Sequence, residues 1–126
     1  MRRIRSRDTY PEMAVRRLVH SMGFRYRLHV SSLPGKPDLV FPKLKRIIEV
    51  RGCFWHQHGH CIDSRIPKSR IEYWAPKLAR NQRRDKENLA ALRQLGWRVH
   101  IVWECELKKQ GRIQDRVERF LSGRSG

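Results

Sequence analysis

The chain is predicted to adopt an α/β fold in which helices flank a small mixed sheet. Its hydrophobic pattern shows a helical repeat, three strand-like runs, a long helical region, a fourth strand-like run and a final amphipathic helix. The 126 residues suffice for one domain with a substantial hydrophobic core. We therefore expect a single domain that spans residues 1–126.

The first helix is predicted to start at Thr9 and to end at Gly23. Thr9 can cap its N-terminus, Pro11 fits its first turn, and Glu12 completes a capping box. Strands are expected at residues 24–30, 38–41, 46–51 and 97–103. Further helices are expected at about residues 71–95, with a bend at Pro76, and at 113–121.

The net charge of +17 points to a polyanionic partner. The chain has 29 basic residues against 12 acidic ones, and the basic residues are spread along its whole length. This distribution favours a folded basic surface over a basic tail, with nucleic acid as the first candidate partner and an anionic membrane surface as the second. The alternative is a basic, solvated protein without a particular partner.

No apolar run is long enough to span a membrane, and the N-terminal MRRIRSR lacks the apolar segment of a signal peptide. We therefore expect a cytoplasmic protein, with nucleic acid rather than a membrane as its partner. In that compartment three cysteines indicate metal ligands or reduced thiols rather than disulfides.

Residues 53–61 hold two cysteines and three histidines, and the third cysteine, Cys105, follows a strand-like run. Three cysteines and one histidine form a common tetrahedral set for structural zinc. The cysteines of this set would be Cys53, Cys61 and Cys105, and His58 or His60 would complete it. The alternative is that the cysteines are reduced and buried.

Three charged residues on neighbouring strands suggest a catalytic cation. Asp38 begins one strand, and Glu49 and Arg51 share a face of the next because side chains alternate along a strand. Such acids can hold magnesium, and the arginine can contact a phosphate. The alternatives are a turn-ending role for Asp38 and a surface ion pair between Glu49 and Arg51.

Asp85 follows Leu78 by seven residues and precedes Leu89 by four, which places this acid on the apolar stripe of the long helix. A carboxylate there needs a partner, either an arginine or a catalytic group that it orients. The aromatic pairs Phe54-Trp55 and Tyr73-Trp74 could pack in the core or enter a base stack as wedges.

Several blocks resemble the very short patch repair (Vsr) mismatch endonucleases. They are LPGKPD at 33–38, GCFWH at 52–56, NQRRD at 81–85, LGWRV at 95–99 and VWEC at 102–105. They extend over nearly the whole chain in the family's order. The resemblance implies a restriction-endonuclease-like, three-layer fold with a structural zinc. It also implies a magnesium-dependent enzyme that nicks one DNA strand beside a T:G mismatch.

The resemblance assigns catalytic roles by position. Asp38 matches the aspartate that binds magnesium, and His56 matches the catalytic histidine, which Asp85 would support. Glu12 matches a glutamate near the metal-bound waters, a role that competes with its capping box. The implied zinc ligands are Cys53, His58, Cys61 and Cys105, and the implied intercalating residues are Phe54, Trp55, Trp74 and Met1.

The chain departs from the best-studied pattern in three features. Val50-Arg51 replaces Thr-His, but Val50 can still offer its backbone carbonyl to magnesium, and Arg51 can contact the phosphate. Glu49 creates an E-x-R signature and is a possible added metal ligand. The zinc loop is one residue longer than the pattern, which leaves the choice between His58 and His60 open.

The sequence thus predicts a magnesium-dependent endonuclease that nicks mismatched double-stranded DNA. One alternative is a sequence- or structure-specific nuclease of the same fold without mismatch preference. Another is a zinc-stabilised DNA-binding module without catalysis. The expected state is a monomer, and the expected protein partners are a cytosine-5 methyltransferase and general mismatch-repair proteins.

Overall fold

A four-stranded sheet is the centre of the computed structural model, which describes residues 10–53 and 68–122. The strands are β1 (Arg27–Leu28), β2 (Leu39–Phe41), β3 (Arg46–Arg51) and β4 (Arg98–Trp103). The helices are α1 (Tyr10–Ser21), α2 (Ile71–Gln94) and α3 (Gln110–Leu121). Short 3-10 segments, Lys68–Arg70 and Glu104–Lys109, precede α2 and α3.

The sheet is mixed, as the sequence predicts. β1 and β2 are antiparallel, β2 and β3 are antiparallel, and β3 and β4 are parallel. Ile48 lies opposite Leu39 on one side and opposite His100 on the other. β3 is therefore the strand that joins the N-terminal hairpins to the C-terminal part of the chain.

Helices cover both faces of this sheet, which gives three layers. Strand residues Leu39, Phe41, Ile48 and Val102 pack in one core cluster with residues of α1 and α3, namely Val15, Val19, Ile113, Val117 and Leu121. On the opposite face Val40 and Ile47 pack against Leu92 of α2. The alternation of Ile47 and Ile48 between the two clusters is the period-2 pattern of a strand that is buried on both faces.

Two element boundaries differ from the expectation for a physical reason. β1 contains only Arg27–Leu28 rather than residues 24–30, because His29 has φ 46° and so leaves the extended conformation. The last helix starts at Gln110 rather than at residue 113 and follows directly on a 3-10 segment. α2 continues through Pro76, which lies in its second turn.

The loop before β2 is held against α2 at Gly35. This glycine has φ 76°, and a Cβ there would lie 2.8 Å from Asn88 Nδ2 and 3.1 Å from Asn88 Cβ. A positive φ strains any residue that has a Cβ, and a Cβ at these distances would push the loop away from α2. Because Asp38 lies three residues farther on, the loop's position affects the placement of that carboxylate.

We expect Gly35→Ala to destabilise the protein more than Gly23→Ala does. Gly23 also has a positive φ, of 84°, but a Cβ there would meet nothing within 4 Å. Gly23→Ala should therefore lower the free energy of unfolding only by the penalty of a positive φ, about 1–2 kcal/mol. Gly35→Ala should lower it by roughly 1–3 kcal/mol more. Urea unfolding of both variants measures the difference. Equal losses would show that α2 does not press on the loop.

Candidate active site

Asp38 lies where β2 begins, beside the last residues of β3. Its Oδ2 accepts a hydrogen bond from the backbone N–H of Val50 at 2.8 Å. The antiparallel register, in which Leu39 faces Ile48, places Asp38 opposite Glu49 when it is extended by one residue. The Asp38 carboxylate, which lies just before the paired residues of β2, is thus fixed to β3 by a main-chain donor.

Glu12 is a second carboxylate at this place, and it comes from α1. Its side chain is only 3% exposed. It accepts a hydrogen bond from Arg16, one helical turn later, and it lies within hydrogen-bond distance of the His29 ring. Thr9, its capping-box partner in the sequence prediction, lies outside the described residues. The contacts that the structure gives for Glu12 are those of a group that faces the sheet.

Burial, together with the nearby acids, changes the ionisation of Asp38. Burial raises its pKa to about 7 from an ordinary value of 3.8. The Val50 N–H opposes that shift, whereas the charges of Glu12 and Glu49 add to it. Asp38 is therefore a carboxyl group that retains its proton up to near-neutral pH unless a cation offsets the neighbouring negative charge.

His29 completes the cluster, and the sequence analysis did not identify it. Its Nε2 lies 3.1 Å from Glu12 Oε1, 3.0 Å from Glu12 Oε2 and 3.9 Å from Asp38 Oδ1. Its backbone N–H donates to the Asp38 carbonyl at 3.1 Å. No sequence pattern points to this histidine; the observed register, in which Leu28 pairs with Leu39, brings His29 opposite Asp38.

The donor set of this cluster fits a divalent cation. Ligand atoms of Glu12, His29 and Asp38 all lie within 4.8 Å of one another, and no other such group of three occurs in the described ranges. Two ligands of one ion cannot be separated by more than roughly 4–5 Å, twice a metal–ligand distance. A cation would also relieve the mutual repulsion of the carboxylates that raises the pKa of Asp38.

Glu49 and Arg51 form an ion pair next to the cluster. They share a face of β3, as strand alternation predicts, and Arg51 Nη2 donates to Glu49 Oε2 at 2.8 Å. The side chains are only 12% and 11% exposed, so the pair is not the surface pair of the alternative interpretation. The Arg51 guanidinium also lies 5.8 Å from the centre of the Trp103 ring, which fixes its position further.

Two cysteines of the predicted zinc set lie at the same end of the sheet. In the parallel pair β3–β4, Arg51 faces Trp103, and Cys53 and Cys105 each follow these residues by two positions. Cys53 is buried and Cys105 is half-buried. The Cys53 N–H donates to Glu104 Oε1 at 3.4 Å, which ties the two chain segments together. His58, His60 and Cys61 lie outside the described residues.

The remaining predicted site residues lie on α2 or outside the described ranges. Asp85 is half-buried and Leu78 is buried, in agreement with their shared stripe on the helix. Trp74 is half-buried beside the more exposed Tyr73, whose hydroxyl accepts a hydrogen bond from Lys77 at 2.9 Å. Met1, Phe54, Trp55 and His56 lie outside the described residues.

None of the helices in residues 10–53 and 68–122 has both the length and the apolar character that crossing a membrane requires.

Sequence comparisons identify the family. The family model of DNA mismatch endonuclease Vsr matches residues 1–62. The chain is 39% identical over 128 residues to the DNA mismatch endonuclease Vsr of Escherichia coli, which covers 98% of this chain and 81% of that protein. It is 50% identical over 121 residues to the type II nicking enzyme V.XorIIP of Xanthomonas oryzae pv. oryzae, with 96% and 88% covered.

Structural comparison agrees with this at the level of the fold. The catalytic domain of homing endonuclease I-Bth0305I superposes with a TM-score of 0.61 at 20% identity, covering 92% of this chain and 97% of that domain. The likeness shows a shared fold, which in this chain is a mixed sheet between helices. The chain therefore belongs to the Vsr family of DNA mismatch endonucleases and is a DNA endonuclease.

Proposed function

We propose that this endonuclease nicks one strand of duplex DNA beside a T:G mismatch in a magnesium-dependent reaction. The observation that carries the proposal is the carboxylate cluster of the half-buried Asp38 and the buried Glu12, next to the half-buried guanidinium of Arg51. Support for the substrate comes from a relative named DNA mismatch endonuclease, which is 39% identical over 98% of the chain. The reaction would repair the mismatch that arises when 5-methylcytosine is deaminated.

Asp38 and the backbone carbonyl of Val50 would hold the magnesium ion. When bound there, the ion would polarise the scissile phosphate and lower the pKa of a water molecule. Glu12, buried on the other side of Asp38, would accept hydrogen bonds from the water molecules around the ion. Glu49, whose charge acts on Asp38, is a possible further ligand.

Arg51 would stabilise the negative charge that develops on the phosphate. Its ion pair with Glu49 uses one of five guanidinium N–H donors, so further donors remain for a phosphate oxygen. Since Glu49 and the Trp103 ring already hold the group, little reorganisation accompanies substrate binding. The histidine that occupies this position in the best-studied pattern would be replaced by a permanent cation.

His56 would act as the general acid or base, and Asp85 would orient it. His56 follows the Phe-Trp pair three residues after Cys53, outside the described residues, while Asp85 is half-buried on α2. Protonation of the leaving oxygen would yield a 3′-hydroxyl, and the attacking water would leave a 5′-phosphate.

A structural zinc would hold the loop that carries His56. Cys53 and Cys105 lie at one end of the paired strands β3 and β4, and Cys61 with His58 or His60 would complete a tetrahedral set. With four protein ligands this site has no open position for substrate, so its contribution is to the fold of the loop.

An aromatic wedge would recognise the mismatch. Phe54, Trp55, Trp74 and Met1 would insert beside the mismatched pair, where weakened stacking lowers the cost of unstacking. Lys77, 4.1 Å from the centre of the Tyr73 ring and 5.9 Å from that of Trp74, provides a cation for the nearby DNA backbone. The net charge of +17 would attract the DNA over longer distances.

In the cell, the endonuclease would be a monomeric bacterial enzyme of the cytoplasm, bound to nucleoid DNA. A cytosine-5 methyltransferase would create the sites at which its substrate arises, and general mismatch-repair proteins would act with it.

A second candidate function is strand nicking at a fixed sequence or structure without mismatch preference. Two observations favour it: Glu49 adds a buried acid near Asp38, and several of the similar proteins, V.XorIIP among them, carry the name type II nicking enzyme.

A nicking assay separates the two functions. End-labelled duplexes with a T:G mismatch in several flanking sequences, and fully paired controls, are incubated with magnesium. We expect a nick only on the T strand of mismatched DNA, and a loss of at least about a thousandfold for Asp38→Ala, because the cation loses its carboxylate. Asp115→Ala, an exposed acid on α3, is the matched control and should nick normally. Equal cutting of paired DNA would contradict the mismatch preference.

The raised pKa of Asp38 predicts a pH-dependent stability when no magnesium is added. Between about pH 4 and pH 7 the folded protein keeps the Asp38 proton, which the unfolded chain has already released. The contribution of this proton to the free energy of unfolding is therefore fully present below about pH 4 and is lost as the pH rises through about 7. Asp38→Asn stays neutral at every pH. Its free energy of unfolding should therefore exceed that of wild type by near zero at about pH 4 and by on the order of 2–4 kcal/mol above pH 7.

Urea unfolding of wild type and Asp38→Asn across this pH range measures that advantage. Asp115→Asn removes an exposed carboxylate and should show no comparable trend. A difference between Asp38→Asn and wild type that is independent of pH would contradict the raised pKa.

Metal analysis tests the zinc site and resolves its fourth ligand. Purified protein should contain about one zinc per chain, and Cys53→Ser or Cys105→Ser should lower the zinc content and the melting temperature together. His58→Ala should lose zinc and His60→Ala should retain it. The reverse result would assign the fourth ligand to His60, and full zinc content in both cysteine variants would contradict the site.

A further inference from the structure

His29 has a backbone conformation that is uncommon for residues other than glycine. Its φ of 46° is in the left-handed region, which costs a residue with a Cβ about 1–2 kcal/mol. The backbone hydrogen bond from its N–H to the Asp38 carbonyl holds this geometry. Backbone strain of this kind is concentrated at functional sites, so the direction in which the ring is turned calls for a functional explanation.

The ring is turned toward the two carboxylates of the cluster. Its Nε2 is almost equidistant from both oxygens of Glu12, at 3.1 and 3.0 Å, and it is 3.9 Å from Asp38 Oδ1. A hydrogen bond needs only one of these oxygens as its acceptor. A nitrogen that faces oxygens of two different acids occupies the position of a further ligand around one ion.

Glu12 also has a cationic partner on its own helix. Arg16 donates to its Oε2 from the next turn of α1. The Glu12 carboxylate is already fixed by its position on the helix, by its burial and by this hydrogen bond. Holding Glu12 in place therefore does not by itself account for the strained backbone of His29.

We propose that His29 is a direct ligand of the catalytic cation and that the site in this chain prefers Mn²⁺ to Mg²⁺. The inference deepens the proposed function and rests on its assignment of a cation to Asp38. Magnesium favours sites made of oxygen ligands, whereas Mn²⁺ accepts an imidazole nitrogen beside the carboxylate oxygens that suit both ions. A nitrogen beside two carboxylates therefore stabilises Mn²⁺ more than it stabilises Mg²⁺.

The test is pulsed electron paramagnetic resonance of Mn²⁺ bound to the zinc-loaded, DNA-free protein. Nitrogen coordinated to Mn²⁺ modulates the electron spin echo, which reports ligation independently of activity. The zinc content is measured first, so that the histidines of the zinc loop are accounted for. Dissociation constants come from titrating free Mn²⁺ by its spectrum and from competition with Mg²⁺.

The main variant is His29→Asn, because asparagine tolerates a positive φ better than most residues. His29→Gln is a second variant that keeps more of the side-chain length. The matched control is His20→Gln, which changes an exposed histidine in the last turn of α1. Circular dichroism and zinc content confirm that each variant is folded.

We expect nitrogen modulation in wild type and in His20→Gln and none in either His29 variant. The Mn²⁺ dissociation constant should rise about tenfold or more in the His29 variants, and that of Mg²⁺ less than about threefold. Modulation that persists without His29, or its absence from wild type, would overturn the proposal. So would equal weakening of both ions, which is the effect expected if His29 only holds Glu12.

Asp38→Ala separates a failure of this inference from a failure of the proposed function. If this variant loses Mn²⁺ while the His29 variants bind it as wild type does, the cation site stands and only the role of His29 is wrong. If Asp38→Ala binds Mn²⁺ as tightly as wild type does, the assignment of the cation to Asp38 is wrong, and the inference is wrong with it.

Discussion

The placement of two carboxylates side by side, Glu12 buried and Asp38 half-buried, is the constraint on which the rest of the site depends. Glu12 and Asp38 come from a helix and from a strand end, and the energy of keeping like charges together away from water must be offset locally. The protein supplies the guanidinium of Arg16, the His29 ring and the Val50 N–H for this purpose. The offset is incomplete, because the pKa of Asp38 remains raised to about 7. A site in this condition gains more from a bound cation than a solvated pair of acids would.

The sheet brings groups that are distant in sequence to one end of β3. This strand pairs antiparallel with β2 on one side and parallel with β4 on the other, and core residues cover both of its faces. Its first residues are therefore fixed by packing, and its last residues, Glu49 to Arg51, carry polar groups into the site. The parallel pairing with β4 also brings Cys105 to the end of the sheet at which Cys53 lies. A rigid strand thus links the proposed cation site to the proposed zinc site over a distance of a few residues.

This arrangement suits the task of a DNA endonuclease. A scissile phosphate carries negative charge, and the site presents to it a half-buried arginine and acids that can hold a divalent ion. Glu49 and Trp103 hold the Arg51 guanidinium in place without occupying all of its N–H donors. The high positive charge of the whole chain serves affinity for the DNA backbone, whereas the local cluster serves the reaction.

The sequence by itself determined the elements whose signals are local. The apolar repeat of α1, the strand Arg46–Arg51, the shared face of Glu49 and Arg51 and the stripe that contains Asp85 all follow from periodicity, and the sequence blocks identified the family. Only the tertiary structure decided which residue meets Asp38. His29 looks like part of an exposed strand in the sequence, and its role depends on a positive φ and on the register of β1 with β2. Both are set by the packing of the hairpin against α1 and by the loop that Gly35 fits against α2, and no periodic pattern records them.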